Sequence, residues 1–348
     1  MNGAEHNAGV TWYEQDERYL AAHYQPGLLL DLLLTRNISS HKVLRGTGLF
    51  YDDILAGSSR LSVRQLRQLI SNGEKISASG DLSFRWGQLL WPGHYGLPSQ
   101  LLQHAGCLDQ ALTVLGQYRR QLSPLLVPRV FTDRDYCYVQ WLDACGLGEQ
   151  KRFMVETAMT ALSSYSRWQS RQPLPWEYGF SYAQPRTYEQ YRTHLGGTLY
   201  FDLGVDVMRI PKAWLHEPWP QASATAFRVA ARHLHYEPPQ PGSGFSEAVY
   251  QHLLQHIQQP LSLAETAEHF GMSSATFKRK LQRHDTHFQH LQDQVRLHAS
   301  LYCLHILGWS NEQLAQYLQF NDLTNFRRAF RRWCGRTPGE SRQLFLQI

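Results

Sequence analysis

The 348-residue sequence has few cysteines, a small net charge of +5 and no long apolar run. Its five cysteines are odd in number and none stands in a C-x-x-C spacing, which argues against a disulfide framework and against a zinc finger. The longest apolar run, around residues 27–34, is interrupted by Asp31 and is too short to span a membrane. Residues 1–15 lack the basic-then-apolar form of an export signal. We therefore expect a folded cytoplasmic protein without membrane contact.

Motifs of catalysis are also missing from the sequence. It contains no G-x-x-x-x-G-K phosphate loop, no G-x-S-x-G nucleophile elbow and no metal-thiolate cluster. Cys107 does not follow an evident strand-to-helix elbow. The run His284, His287 and His290 spans a predicted turn without carboxylate or thiolate support, which disfavours a metal. We predict no enzymatic activity, no catalytic residue, no cofactor and no metal site.

A helix with one apolar and one basic face is predicted near the C-terminus. If Asp322 is its N-cap, then Phe326, Phe330 and Trp333 form an apolar stripe. The opposite face carries a threonine and four arginines, namely Thr324, Arg327, Arg328, Arg331 and Arg332. A shorter amphipathic helix around Leu314 precedes it after a tight turn. This arrangement is typical of a helix-turn-helix that reads DNA.

An internal repeat supports this interpretation. Residues 263–284 reproduce the pattern at an offset of 48 before the turn and 49 after it, so that Phe277 and Leu281 match Phe326 and Phe330. Ser273 takes the N-cap position of Asp322. Three outward positions of each second helix fall together, and these are the candidate base-reading residues: Ala275, Lys278, Arg279, Thr324, Arg327 and Arg328. Arg and Lys can bond guanine, and Ala or Thr methyl groups can touch the thymine methyl.

Positive charge is concentrated in these two units. Residues 245–348 hold 11 Lys and Arg against 8 Asp and Glu, and nine of the 11 lie in or just after the two predicted recognition helices. Binding to phosphate requires local rather than global charge. Arg331, Arg332, Arg336 and Arg342 are expected to contact phosphate or to cap the helix end rather than to read bases.

The chain divides at a Pro/Gly-rich segment. Residues 1–236 mix predicted helices with strands in the second half, where Val127, Arg129 and Phe131 alternate as in a paired strand. Residues 237–244, EPPQPGSG, have the composition of a linker. We predict an α+β effector and dimerisation domain whose residues 1 to about 24 form a loose lead-in. An all-α domain of two helix-turn-helix units joined by a long helix follows at 245–348.

Residues 245–348 resemble the DNA-binding half of the AraC/XylS family of bacterial transcription regulators. The similarity lies in the pattern F-x5-F-x-R-x-F-x-R-W-x-G-x-x-P-x-x-x-R, from Phe320 to Arg342. Upstream, LSFRWGQLLWPGHYG, CLDQAL and FSYAQPRTYEQY look like the N-terminal effector domain of a subgroup that carries an arabinose-binding-type label. One departure is Gln319, where the family usually has glycine. If this turn needs a positive φ, the glutamine costs about 1 kcal/mol or more.

The resemblance implies a regulator that binds double-stranded DNA as a homodimer, contacts RNA polymerase as an activator and senses a small-molecule effector. The ligand-binding residues stay unassigned, although Phe131, Tyr136, Tyr138, Trp141 and Phe180 are candidates to line a pocket. Two alternatives stay open. The first is a ligand-independent regulator whose N-terminal domain only dimerises, and the second is an enzyme with a DNA-binding tail that uses Cys107.

Overall fold

The computed structural model describes residues 12–77, 79–234 and 242–346. Short strands and helices form the first half of the N-terminal domain and pack around the buried leucines of its first helix. In chain order these elements are β1 (Trp12–Tyr13), β2 (Leu20–Ala21), α1 (Gln25–Thr35), α2 (Ser40–Val43), α3 (Tyr51–Leu55), β3 (Arg60–Leu61), α4 (Val63–Ile76), α5 (Leu82–Leu90), α6 (Leu97–His104), α7 (Leu108–Gln117) and α8 (Arg119–Leu122).

A five-stranded sheet with flanking helices forms the second half. The elements are β4 (Leu126–Thr132), β5 (Tyr136–Asp143), α9 (Lys151–Ser170), β6 (Glu177–Gly179), α10 (Tyr188–His194), β7 (Thr198–Tyr200), β8 (Val207–Pro211) and α11 (Ala224–Leu234). The strand order is β4-β5-β8-β6-β7. β4, which contains the alternating Val127, Arg129 and Phe131, pairs antiparallel with β5, and the Asp133 carboxylate accepts the N–H groups of Asp135 and Tyr136 to hold their turn.

Close packing of α5 on α9 explains the Trp86-Gly87 pair. A Cβ on Gly87 would lie 2.5 Å from the Thr157 carbonyl oxygen and 2.8 Å from Thr160 Cβ, so glycine is required at this crossing. Trp86 is buried and donates its indole N–H to the Gln25 carbonyl at 3.0 Å. Gly87 therefore allows α5 to lie close to α9, and Trp86 ties α5 to the start of α1.

The C-terminal domain is helical, as the sequence predicts. After β9 (Ser243–Gly244), which lies in the predicted linker, its helices are α12 (Phe245–Gln255), α13 (Leu263–His269), α14 (Ser274–Arg283), α15 (Phe288–His305), α16 (Asn311–Tyr317), α17 (Leu323–Cys334) and α18 (Pro338–Leu346). Residues 237–241 of the predicted linker lie outside the described residues. The part of the linker within them includes β9, which pairs in parallel with β1.

The expectation of a loose lead-in is wrong from Trp12 onward, and residues 1–11 lie outside the described residues. Tyr13 and Tyr19 are buried, and the Trp12 ring packs edge-on against Phe270 at 5.4 Å. Aromatic side chains in a polar stretch thus anchor this segment between the two domains, because each buries a large apolar area. Within the described residues, no helix is both long and apolar enough to cross a membrane.

Candidate nucleic-acid interface

Side-chain caps set the start of all four helices of the two helix-turn-helix units. Ser262 and Ser310 form capping boxes at α13 and α16. The predicted caps of the second helices are confirmed. The Ser273 hydroxyl accepts the Thr276 N–H at 3.2 Å, and Asp322 accepts that of Asn325 at 2.7 Å. Each cap satisfies a backbone donor that the first helical turn would leave unpaired, which fixes the residue at which the helix begins.

The two units use the same turn. Met272 N–H donates to the Ala267 carbonyl and Phe320 N–H to the Ala315 carbonyl, each at 2.9 Å. The residue before each donor is left-handed, with φ of +66° at Gly271 and +60° at Gln319. The turn chemistry of the repeat is therefore retained, and the glutamine adopts a backbone conformation that favours glycine.

Apolar faces of the recognition helices form the core of each unit. Phe277, Leu281, Phe326 and Phe330 are buried, as predicted. Trp333 was also predicted to be core but lies at its edge, half-buried, and donates its indole N–H to the Asp293 carboxylate at 2.9 Å. An indole with one apolar and one polar partner is satisfied at such a boundary.

All six candidate base-reading residues are exposed to solvent, on the helix faces opposite this core. They are Ala275, Lys278 and Arg279 on α14, and Thr324, Arg327 and Arg328 on α17. Among the described residues, none of the four basic members has a carboxylate within 4.0 Å. Their charge is thus available to an anionic partner such as DNA.

The remaining arginines are placed differently from one another. Arg331 is exposed. Arg332 reaches Asp293 of α15 at 2.9 Å, which ties the recognition helix to the connector. Arg336 donates to the Asp202 carbonyl in the first domain, and Arg342 donates to the Trp309 carbonyl. Arg336 and Arg342 therefore donate to protein carbonyls, unlike the exposed candidate base-reading residues.

The first unit also contacts the N-terminal domain. Lys280 on α14 pairs with Glu14, and Asp285 pairs with Arg67. His284 is buried with its Nδ1 2.8 Å from the Cys145 carbonyl oxygen, so the ring has a structural partner. Burial lowers the pKa of His284. The helix α15, which spans roughly 27 Å at 1.5 Å per residue, then carries the chain to the second unit.

A cavity of about 280 Å³ lies between the sheet of the first domain and α15 of the second. Of the five predicted pocket residues, Phe131 and Tyr138 line it. Trp141 faces the opposite side of β5, where it stacks on Trp91, and Phe180 stacks on Phe201. The Arg209 guanidinium covers the Tyr136 ring at 4.1 Å.

Sequence reasoning missed most of the cavity wall. Arg129 lines it from β4, while Tyr302 and Trp309 line it from α15 and from the segment before α16. One available signal was Arg129 itself, a charged residue between two apolar positions on the same face of a strand. No sequence pattern indicated the wall contributed by α15, because that helix packs against several other helices and has no single apolar face.

The chain has a mixed α and β domain followed by two helix-turn-helix units joined by a connector helix. This architecture is that of a DNA-binding transcription regulator with two DNA-binding units per chain. Residues 38–219, more than half of the chain, match the arabinose-binding domain of AraC transcription regulators, and residues 266–344 match a helix-turn-helix domain. The chain belongs to the AraC family of transcription regulators.

Named relatives are distant. The chain is 23% identical over 318 residues to the ornithine utilization regulator of Pseudomonas aeruginosa, covering 90% of this chain and 94% of that protein. It is similar to the crystal structure of the transcriptional regulator CdpR from Pseudomonas aeruginosa, with 16% identity, a TM-score of 0.44 and coverage of 94% of this chain and 100% of that one. A DNA-binding transcriptional dual regulator of Escherichia coli K-12 shares 25% identity over 30% of this chain and 93% of its own, with a TM-score of 0.28.

Proposed function

We propose that this regulator is a homodimeric activator that contacts RNA polymerase, and that a small molecule bound to it changes its affinity for DNA. The observation that supports ligand response is the cavity between the sheet and α15, whose walls come from both domains. A ligand in this cavity would bind more tightly when the two domains are in contact than when they are apart, because it touches both walls only in the first case. Unequal affinity is the condition for a ligand to shift a conformational equilibrium.

Sequence reading is proposed for the three exposed positions of each recognition helix. Since α14 and α17 repeat the same caps, turn and core, each would enter one major-groove segment, and segments on one face of DNA recur about every 34 Å. The connector length of roughly 27 Å suits two such segments. Lys278, Arg279, Arg327 and Arg328 are the proposed partners of guanine.

Footprinting with the purified full-length protein tests DNA reading. The DNA would be the intergenic region beside its own gene, at physiological salt. We expect protection of two major-groove segments one helical turn apart for each subunit. Binding without any sequence preference at this salt would contradict the proposal.

The regulatory half is tested separately. In vitro transcription with RNA polymerase should rise when the protein is added, and sedimentation should give the mass of a dimer. DNA affinity would be compared without ligand and with arabinose, ornithine or small carboxylates. A regulator that responds to none of a broad metabolite panel would favour the alternative in which the N-terminal domain only dimerises.

A further inference from the structure

The cavity between the domains is largely apolar. From the first domain it is lined by Val205 and Val207, and from the second by Leu254, Leu301 and Ile306. Its volume of about 280 Å³ lies just below the roughly 300–1,000 Å³ of typical small-molecule sites, so the ligand must be small. Such walls fit an apolar molecular body, since burial of apolar surface favours binding by about 25 cal/mol per Å².

Aromatic rings add to these walls. Phe131 of β4 meets Tyr302 of α15 edge-to-face at 5.3 Å, so that the two domains touch beside the cavity. Trp309 and Tyr317 form a second edge-to-face pair at 5.3 Å. Trp309 directly precedes the Ser310 cap of α16. A ligand in the cavity would therefore contact the first helix of the second helix-turn-helix unit.

Among the described residues that line the cavity, Arg129 is the only lysine or arginine. Arg129 donates to the Tyr250 hydroxyl at 3.3 Å, and this hydroxyl lies 2.9 Å from Nδ1 of His298. No lining residue is an Asp or a Glu, and no carboxylate of the described residues lies within 4.0 Å of the Arg129 guanidinium. A half-buried guanidinium without an anion beside it is suited to bind a carboxylate through two parallel hydrogen bonds.

His298 adds no second positive charge to the lining. Burial lowers its pKa to about 3, and the positive charges of Lys151 and Arg129 act in the same direction. The imidazole is therefore neutral near pH 7. His305 also lines the cavity, and burial lowers its pKa to about 4, so it is neutral as well. Arg129 is therefore the one cation among the described lining residues, and the ammonium groups of a diamine would meet no carboxylate of that lining.

We propose that the cavity binds a small monocarboxylate with an apolar body, its carboxylate on Arg129 and its body against α15. This inference rests on the proposed function of the chain as a ligand-responsive regulator. Because the walls belong to different domains, the bound acid stabilises their contact. The six base-reading residues stay exposed in this arrangement, and the acid would therefore raise affinity for DNA.

Calorimetric titration of the full-length protein tests the site. The probes are octanoate and 3-phenylpropionate, each compared with its uncharged primary amide. We expect both acids to bind more tightly than their amides. Arg129→Gln should weaken binding of the acids by roughly tenfold or more, the equivalent of one charge-assisted hydrogen bond, and should leave the amides unaffected.

Two further variants separate the site from general effects. Arg134→Gln removes the same charge from the exposed β4–β5 turn, away from the cavity, and should not change binding. Ala299→Leu narrows the cavity and should weaken acids and amides alike. Equal binding of acid and amide, unchanged binding in Arg129→Gln, or no binding of either acid at millimolar concentration would overturn the proposed site.

DNA binding measured in the same samples distinguishes this failure from failure of the proposed function. If the acids bind through Arg129 without raising affinity for DNA, the site stands and its regulatory role is overturned. If DNA affinity responds to another metabolite equally in the wild type and in Arg129→Gln, ligand response stands and the assignment of this cavity is overturned.

Discussion

The single residue Gln319 carries backbone strain that its repeat partner avoids. Both Gln319 and Gly271 are left-handed, and the left-handed region costs a non-glycine residue roughly 1–2 kcal/mol. Gln319→Gly removes that strain. The greater conformational freedom of glycine in the unfolded chain opposes folding and offsets roughly 0.5–1 kcal/mol of this gain. We predict a net gain of up to about 1.5 kcal/mol in the free energy of unfolding, measured by urea denaturation.

Two matched variants isolate the backbone contribution. Gln319→Ala keeps the strain and loses the hydrogen bond from the Gln319 side chain to the Gln316 carbonyl at 3.3 Å, so it should not stabilise the protein. Gly271→Gln introduces the strain at a position where a Cβ meets no atom within 4 Å, and it should destabilise. A stabilising Gln319→Ala would show that side-chain surroundings, and not φ, set the cost.

The role of one arginine in reading DNA is tested by comparing Arg328 with Arg331 on the same helix. Arg328→Ala should weaken binding to the operator by about 1–3 kcal/mol and relax preference at one base pair. Arg331→Ala should weaken binding to all sequences alike and lower the salt slope by about 1. Fluorescence anisotropy over a salt series measures both. Unchanged affinity in Arg328→Ala would mean that its placement on the base-reading face is wrong.

For single residues, the sequence predicts what depends on neighbours within the same helix, and it does not predict contacts between distant elements. The caps Ser273 and Asp322 and the buried Phe326 follow from spacing within one helix, and the structure confirms them. The cavity face was not predictable in this way. β5 is buried from Cys137 to Leu142, so alternation does not show which side meets helices and which meets the second domain.

At the scale of elements, helices α12 and α15 contain histidines that burial keeps neutral. The pKa of His298 is lowered to about 3, and those of His252 and His305 to about 4. An unfolded histidine titrates near pH 6.5. Below that pH the unfolded chain binds protons that the folded chain does not, until the folded pKa is reached. Stability contributed by these groups is therefore complete above about pH 6.5 and is lost as pH falls toward 4.

We predict that His298→Gln makes the protein less sensitive to acid. Each such histidine contributes up to about 1.4 kcal/mol of lost stability per pH unit within this window. Urea denaturation between about pH 7 and pH 5 should give a shallower loss for this variant than for the wild type. His216→Gln, at an exposed position, is the control and should leave the slope unchanged. The comparison of variants is needed because burial raises the pKa of Glu247, which opposes the trend.

At the scale of the whole molecule, the first domain is joined to both helix-turn-helix units. Arg67 pairs with Asp285 beside the first unit, and Arg336 donates to the Asp202 carbonyl from just after the second. These partners are 218 and 134 positions apart in the sequence. Such pairs follow from no local pattern, which is why the sequence predicted two domains but not their contact.

Gly146 provides the sharpest test of that contact. A Cβ there would overlap the His284 carbonyl oxygen, whereas a Cβ on Gly271 meets no atom within 4 Å, and both glycines have positive φ. Alanine at either position costs about 1 kcal/mol of backbone strain, and only Gly146→Ala also forces the domains apart. In calorimetry we expect one unfolding transition for the wild type and for Gly271→Ala, but two for Gly146→Ala. Equal behaviour of the two variants would contradict a tight contact between the domains.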